Sequence, residues 1–213
     1  MYTTEYKACW DRQINYTLDT LESFNGPIVD LASGRCYLVE KIAKQLGRQV
    51  VATDFSSNVL RRDREYFKFL ELDHLVSFLA FDARKTPFKK GSVAIMTTNQ
   101  GLPNIEDPGN LVGEIKRIVG GTFLAISHFY PSDDDLNRAV IEEAGIEAFV
   151  YKESALHYFS SNGWKLTIEN SCMAQALPTP VSEIFEGARA DGLPVAPTQL
   201  EFCTIRVENK IGG

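Results

Sequence analysis

The chain has no C-x-x-C pair. Its four cysteines, Cys9, Cys36, Cys172 and Cys203, are far apart. That spacing excludes a sequence-local zinc site and a dense disulfide framework. No apolar run approaches the ~20 residues that a membrane-spanning helix needs. The start, Met1-Tyr2-Thr3-Thr4-Glu5-Tyr6, lacks a basic stretch followed by an apolar one. No secretory signal is visible, and a reduced, cytoplasmic protein is expected. Positive charge is not in excess either: Lys plus Arg total 22 against 28 for Asp plus Glu, a net charge of −6. Such a chain has no general attraction to phosphate backbones, so nucleic acid is not an expected partner. Three signatures are also missing. Without G-K-[ST] there is no P-loop; without G-x-S-x-G there is no hydrolase elbow; without G-x-G-x-x-G a nicotinamide dehydrogenase is disfavoured.

What is present describes an ordinary globular domain. The 213 residues are 44% hydrophobic and 23% charged, enough to bury a core without metal or cross-links. Short β-branched runs alternate with helical patterns, the signature of an α/β fold with a mostly parallel sheet. Strands are expected at 27–31, 49–53, 75–81, 92–98, 122–127, 164–170 and 199–207. Helices are expected at 38–46, from Ser56 or Ser57 to about 72, from Asp107-Pro108 onward, at 134–144 and at 152–161. Asp107 is a good N-cap, and Pro108 at the first helical position loses no needed donor. Gly120-Gly121 is read as the stop of that helix. Seven strands with helices between them fit a doubly wound sheet with helices on both faces. Ligands bind such sheets beyond the carboxyl ends of the strands.

Those ends carry a consistent set of residues. The first strand runs into Asp30-Leu31-Ala32-Ser33-Gly34-Arg35-Cys36 and then a helix. A turn of small residues there lets a ligand approach the backbone and the helix N-terminus. The second strand ends in Asp54, an acid suited to two ribose hydroxyls. Asp82-Ala83 follows the third, placed for an adenine edge. With V-D-L-A-S-G-R-C (29–36), V-V-A-T-D-F-S (50–56), F-D-A (81–83), T-P-F (86–88) and the run from E-D-P (106–108) to I-K-R-I-V-G-G-T-F (115–123), the chain resembles the class I S-adenosylmethionine-dependent methyltransferases. The resemblance covers about residues 27–128.

It implies a Rossmann-like sheet whose last strand is antiparallel, and S-adenosylmethionine as cofactor. Asp30 then lies near the methionyl amino group, and Ala32 and Gly34 contact the cofactor by backbone. Asp54 holds the ribose, Phe55 stacks on adenine, Asp82 meets the adenine amino group and Ala83 donates an N–H. The family pattern D-x-G-x-G-x-G is here D-x-A-x-G-x-C. Cys36 thus adds a Cβ and a thiol where close packing is wanted, which would weaken the cofactor or simply fill space. Ala94 stands where relatives often carry an acid, read as structural variation.

For catalysis, Asn99 and Gln100 follow the fourth strand, with Asn99 also expected at the cofactor. His128 ends the fifth and is the candidate general base, since imidazole titrates near neutral pH. His157 and His74 read as structural. Asp133-Asp134-Asp135 reads as helix capping, because consecutive helix residues do not converge on a metal; no metal is expected. Arg61, Arg62 and Arg64, interleaved with Asp63 and Glu65, read as a solvated face. The domain is expected to be single over 1–213. A helical lid at 1–22 would bring Tyr2, Tyr6 or Trp10 over the site. Insertions at 129–150 and at the Pro-rich 177–198 would rise on the ligand side. The expected activity is methyl transfer to a small molecule by a monomer or homodimer, with no membrane partner. The alternatives are a cofactor-binding protein that does no chemistry and an aminopropyl transferase, the latter without a visible polyamine motif.

Overall fold

A computed structural model describes residues 3–184 and 189–208. Seven strands form one sheet in the order β3-β2-β1-β4-β5-β7-β6. The strands are β1 (Ile28–Asp30), β2 (Val50–Asp54), β3 (Val76–Ala80), β4 (Val93–Asn99), β5 (Val119–Phe129), β6 (Lys165–Ala176) and β7 (Thr198–Glu208). The first five pair in parallel, and β7 runs antiparallel to both β5 and β6. Strand order reverses at β1, between β2 and β4. The ligand crevice of a doubly wound sheet opens there.

Local chemistry explains the helices. Thr3 caps α1 (Thr4–Glu22), its side chain accepting from the Tyr6 N–H. Ser56 caps α3 (Ser57–Phe69) in the same way, and Asp107 caps α4 (Pro108–Ile118). The expected apolar face of α4, Leu111, Ile115 and Ile118, is buried. α2 (Tyr37–Lys41) continues into a π-turn at Ile42–Leu46, which Gly47 ends in a left-handed conformation. After β5 come α5 (Asp135–Ala144), α6 (Glu147–Val150) and α7 (Lys152–Ser161). Asp134 caps α5 by accepting from the Asn137 N–H, so the acidic run is a cap as expected.

Three apolar clusters form. One lies on the α4–α7 face of the sheet, around Phe123 and Phe159. Another lies on the α1–α2 face, around Leu38 and Ile126. The third joins Tyr6, Ile141, Val150, Leu193 and Phe202, and so knits α1, α5, α6 and the 177–198 segment to the end of the sheet. Buried Asn137 pins that segment: its Oδ1 accepts from the Val195 N–H at 2.8 Å, and its Nδ2 donates to the Ala196 carbonyl at 3.1 Å. Part of 177–198, and Tyr2 with the first residue of the expected lid, lie outside the described residues.

Two expected boundaries move. Gly120 and Gly121 lie inside β5 rather than stopping α4, because the β4–β5 register slips between Val93 and Ile95 and both glycines face Ala94. A Cβ on Gly121 would sit 2.3 Å from the Ala94 carbonyl oxygen, so the bulge itself requires glycine. β6 runs past 170 to Ala176. Asn170, left-handed at φ 59°, forms a second irregularity, after which alternation resumes with Ala174 and Ala176 buried.

Gly121→Ala is therefore expected to destabilise the fold by about 1–3 kcal/mol, the usual cost of overpacking. Urea denaturation would measure it. A loss under about 0.5 kcal/mol would mean that β4 and β5 separate freely at the bulge.

Candidate active site

The loop after β1 is shaped by three residues in the left-handed region: Ala32 at φ 50°, Gly34 at φ 52° and Cys36 at φ 53°. They are the three positions that are glycine in the family pattern. Glycine adopts this conformation freely, whereas Ala and Cys do so at a cost of about 1 kcal/mol each. The surroundings hold the loop in place. Leu31 N–H donates to the Thr97 carbonyl at 2.8 Å, and Ser33 N–H to the Thr53 carbonyl at 2.7 Å. Gly34 N–H donates to Asp54 Oδ2 at 3.1 Å. The open side of Gly34 meets nothing within 4 Å of a virtual Cβ. Cys36 does not face that opening. It is buried behind the loop, its thiol 3.6 Å from Asp63 Oδ2, and burial pushes its pKa far up. The thiol therefore fills space and does not narrow the site. Asp63 corrects a second expectation: it is buried and held by Arg62 at 2.8 Å, so the Arg61–Glu65 run is not wholly a solvated face.

Two cavities flank the loop, both lined by Ala32, Gly34 and Asn104, and they read as one groove. The first, of about 670 Å³, is lined by Asp54, Phe55, Phe81, Asp82, Ala83 and Ile105. Phe55 is 79% exposed, a free ring face suited to a planar base. Asp54 Oδ1 also accepts from the Ser56 N–H at 2.9 Å, which fixes its carboxylate toward the groove. Asp82 is gripped by Arg84 through Nε–H at 2.9 Å and Nη2–H at 2.8 Å, which lowers its pKa and gives it a partner that the sequence did not suggest. The second cavity, of about 550 Å³, is lined by Tyr6, Trp10, Asn99, Gln100, His128 and Phe149. Its lining draws on α1, on Phe149 of the 129–150 segment and on Thr179 and Leu193 of the 177–198 segment.

Asp30 is placed differently from expectation. It is 1% exposed and lines neither cavity, because the loop folds over it. Thr97 Oγ1–H donates to its Oδ1 at 2.6 Å, and burial pushes its pKa up to about 6. Asn99 is positioned by the Trp10 indole N–H, which donates to its Oδ1 at 3.3 Å. His128 packs against Phe202 and Tyr130, with ring centroids 5.6 and 5.8 Å away, and burial pulls its pKa down to about 4. It is a neutral imidazole over the physiological range. His157 and His74 are exposed and line neither cavity.

α1 is a fixed wall. Gln13, fully buried, donates to the Asn170 carbonyl at 2.7 Å and accepts from Thr204 Oγ1–H at 3.1 Å. Arg12 Nε–H donates to Asn170 Oδ1 at 2.8 Å. Cys9 and Cys172 face each other across the same contact with Cα atoms 6.0 Å apart, while Cys36 and Cys203 are buried elsewhere.

Residues 29–125 match the model of a methyltransferase domain family. That match covers a little under half of the 213 residues and runs from β1 into β5. The ubiquinone/menaquinone biosynthesis C-methyltransferase of Pseudoalteromonas translucida is 28% identical over 116 residues, 53% of this chain and 46% of that protein. The demethylmenaquinone methyltransferase of Streptomyces avermitilis is 29% identical over 125 residues, 58% of this chain and 50% of the relative. The chain thus spans about half the length of these curated relatives. Among solved structures, the YcgJ protein of Bacillus subtilis superposes with a TM-score of 0.72 at 16% identity, covering 95% of this chain and all of the other. Geranyl diphosphate C-methyltransferase from Streptomyces coelicolor, solved with Mg2+, geranyl diphosphate and S-adenosyl-L-homocysteine, superposes at 0.66 with 17% identity, covering 96% and 80%. The methyltransferase fold is shared across the sheet and its flanking helices.

Burial of Asp30 and His128 sets opposite pH trends. Asp30 rises from an ordinary 3.8 to about 6, so the folded state binds its proton more tightly and stability falls as pH rises through that window. His128 falls from 6.5 to about 4, so stability rises with pH there. Asp30→Asn should leave His128 unopposed and steepen the loss of stability as pH drops from 6.5 to 4. Urea titrations across that range check this; parallel curves for parent and variant would show that Asp30 titrates normally.

Cys36→Gly relieves the left-handed strain but removes a buried thiol. Stability should change by no more than about 1 kcal/mol. Affinity for S-adenosylhomocysteine should stay within about twofold, because the thiol faces away from the groove. Calorimetry and melting of one preparation would decide it; a tenfold loss of affinity would show that the loop depends on the thiol for its shape.

Proposed function

We propose that this chain transfers the methyl group of S-adenosylmethionine to a small organic acceptor, as a cytoplasmic monomer or homodimer. The observation that carries the reading is the two-part groove meeting at Ala32 and Gly34. One half offers an acid at a strand end and an exposed aromatic ring, the chemistry that suits a nucleoside. The other half combines the aromatic rings of Tyr6, Trp10 and Phe149 with polar side chains. Asp54 would hold the ribose hydroxyls, Phe55 the adenine face, and Asp82 with Ala83 the adenine edge. Ala32 and Gly34 would contact the ligand by backbone. Asp30 would act from beneath, through the loop it supports. When bound, the sulfonium supplies an activated methyl group.

The chain's own contribution is position and dryness more than proton chemistry. Tyr6, Trp10 and Phe149 give the acceptor half aromatic surface beside its polar lining. Trp10 fixes Asn99 in the wall of the acceptor half. His128, neutral and desolvated, is the proposed proton acceptor. Burial pulls its pKa down to about 4, so the unbound site offers only a weak base at neutral pH. The names of the curated relatives support a small acceptor and a carbon nucleophile. No helix among the described residues is long and apolar enough to cross a membrane.

Calorimetry with S-adenosylhomocysteine tests the cofactor half. Binding is expected at micromolar affinity, about −8 kcal/mol. Asp54→Ala should weaken it by one to two orders of magnitude, since charge-assisted hydrogen bonds are worth about 1.5–3 kcal/mol each and water replaces them in part. Asp133→Ala, in the turn before the α5 cap, should bind like the parent. No heat at millimolar ligand, or equal binding by both variants, would sink the assignment. Transfer of labelled methyl into a metabolite extract then tests turnover.

A further inference from the structure

α1 lies along β6, the outermost strand at its end of the sheet, and the contact has a register. Thr3 Oγ1–H donates to the Gln175 carbonyl at 2.8 Å. Gln13 Nε2–H donates to the Asn170 carbonyl at 2.7 Å, and the Tyr16 hydroxyl donates to Glu169. Helix residue numbers rise as strand numbers fall, so the two elements run in opposite directions. Cys9 and Cys172 fall between the first two of these contacts, with Cα atoms 6.0 Å apart. Bridged cysteines stand about 4.4–6.8 Å apart by the same measure. The backbone is already placed for a bond between them, and the flanking hydrogen bonds keep it there.

The two sulfurs have different surroundings. Cys9 is buried, and its thiol donates to the Met173 carbonyl at 3.6 Å. Cys172 is half-buried, between exposed Ser171 and Met173 on the edge strand, where a small oxidant can reach it. Gln13 Nε2–H also donates to the Cys172 sulfur at 3.6 Å, a contact that favours thiolate over thiol. Cys172 is therefore the attacking sulfur and Cys9 the resolving one. Cys9 also sits one residue before Trp10 and three after Tyr6, two rings that line the acceptor cavity.

We propose that Cys9 and Cys172 form a site of reversible oxidation by a small disulfide, and that the bond latches the α1 wall of the acceptor half to β6. The Cys172 thiolate attacks one sulfur of the small disulfide and expels the other as a thiolate. Cys9, its proton given to solvent, then attacks the Cys172 sulfur and expels the second small thiolate. One S–S bond breaks and one forms. Two electrons pass to the small disulfide, and the two cysteine protons end on the released thiols. In the reduced state hydrogen bonds and packing seat the helix; in the oxidised state a covalent bond spans 163 positions and restrains the unfolded chain as well. This site stands independently of the methyl-transfer reading.

The full chain, equilibrated with mixtures of reduced and oxidised glutathione and then alkylated, tests it by intact mass and peptide mapping. The parent is expected to become two hydrogen atoms lighter, with Cys9 joined to Cys172, and to regain them in excess reduced glutathione. The oxidised form should melt about 5 °C or more above the reduced form. Amide exchange over residues 4–13 should slow at least threefold on oxidation. Cys9→Ser and Cys172→Ser, each checked for cooperative melting, should show neither difference. No bond at any glutathione ratio, or a parent that stops at a mixed disulfide on Cys172, would overturn the proposal. So would a bond that excess reduced glutathione leaves intact in the native protein, or one that forms without moving melting or exchange.

Discussion

The ligand side rests on the junction beneath the first loop, where β1, β2 and β4 are joined by a few short hydrogen bonds. Thr97 holds both Asp30 and the Leu31 N–H, while Thr53 holds Ser33. These bonds force the chain through three left-handed residues in seven. Glycine would make that turn freely. Here two of the three positions carry a Cβ, so the junction must supply what backbone freedom does not. The groove then forms on the open side of Gly34, and both of its halves take their geometry from this loop.

Much of this could be read from residue order. An acid at the end of each of the first two strands, Asp30 and Asp54, and another just past the third, Asp82, is a pattern with one spatial meaning in a parallel sheet. Asp107-Pro108 announced a helix start by its chemistry alone. Other features were hidden because their signal is spatial. Gln13 and Asn137 sit within helices where a polar residue reads as surface, yet each is buried with partners far away in sequence. Gly120-Gly121 looks like a helix stop, and only the register against Ala94 shows a bulge. Arg84 two residues after Asp82 reads as an unrelated surface charge until the turn brings them together. Whether Cys36 faces the ligand cannot be told from spacing; its partner is on the next helix.

The acceptor half is built on a different plan from the cofactor half. The cofactor half draws on loops between consecutive elements. The acceptor half draws on α1, α6, the ends of β4 and β5, and the segment before β7. Variation in those segments can reshape the acceptor cavity without disturbing the junction under the first loop. This is how one scaffold serves many substrates.

The anchoring of α1 also governs when the cavity can exist. Gln13 meets Asn170 and Thr204, residues 157 and 191 positions away. Contacts of such separation close the largest loops and come late in folding. The apolar face of α1 has earlier partners, since Leu18 and Leu21 share a cluster with Leu38 and Ile42 of the next helical segment. The lining of the larger cavity comes mainly from residues 31–106, with Arg189 added from far along the chain. The helix is therefore seated in two stages: its apolar face on neighbours made soon after it, its polar anchor only when β6 and β7 pair.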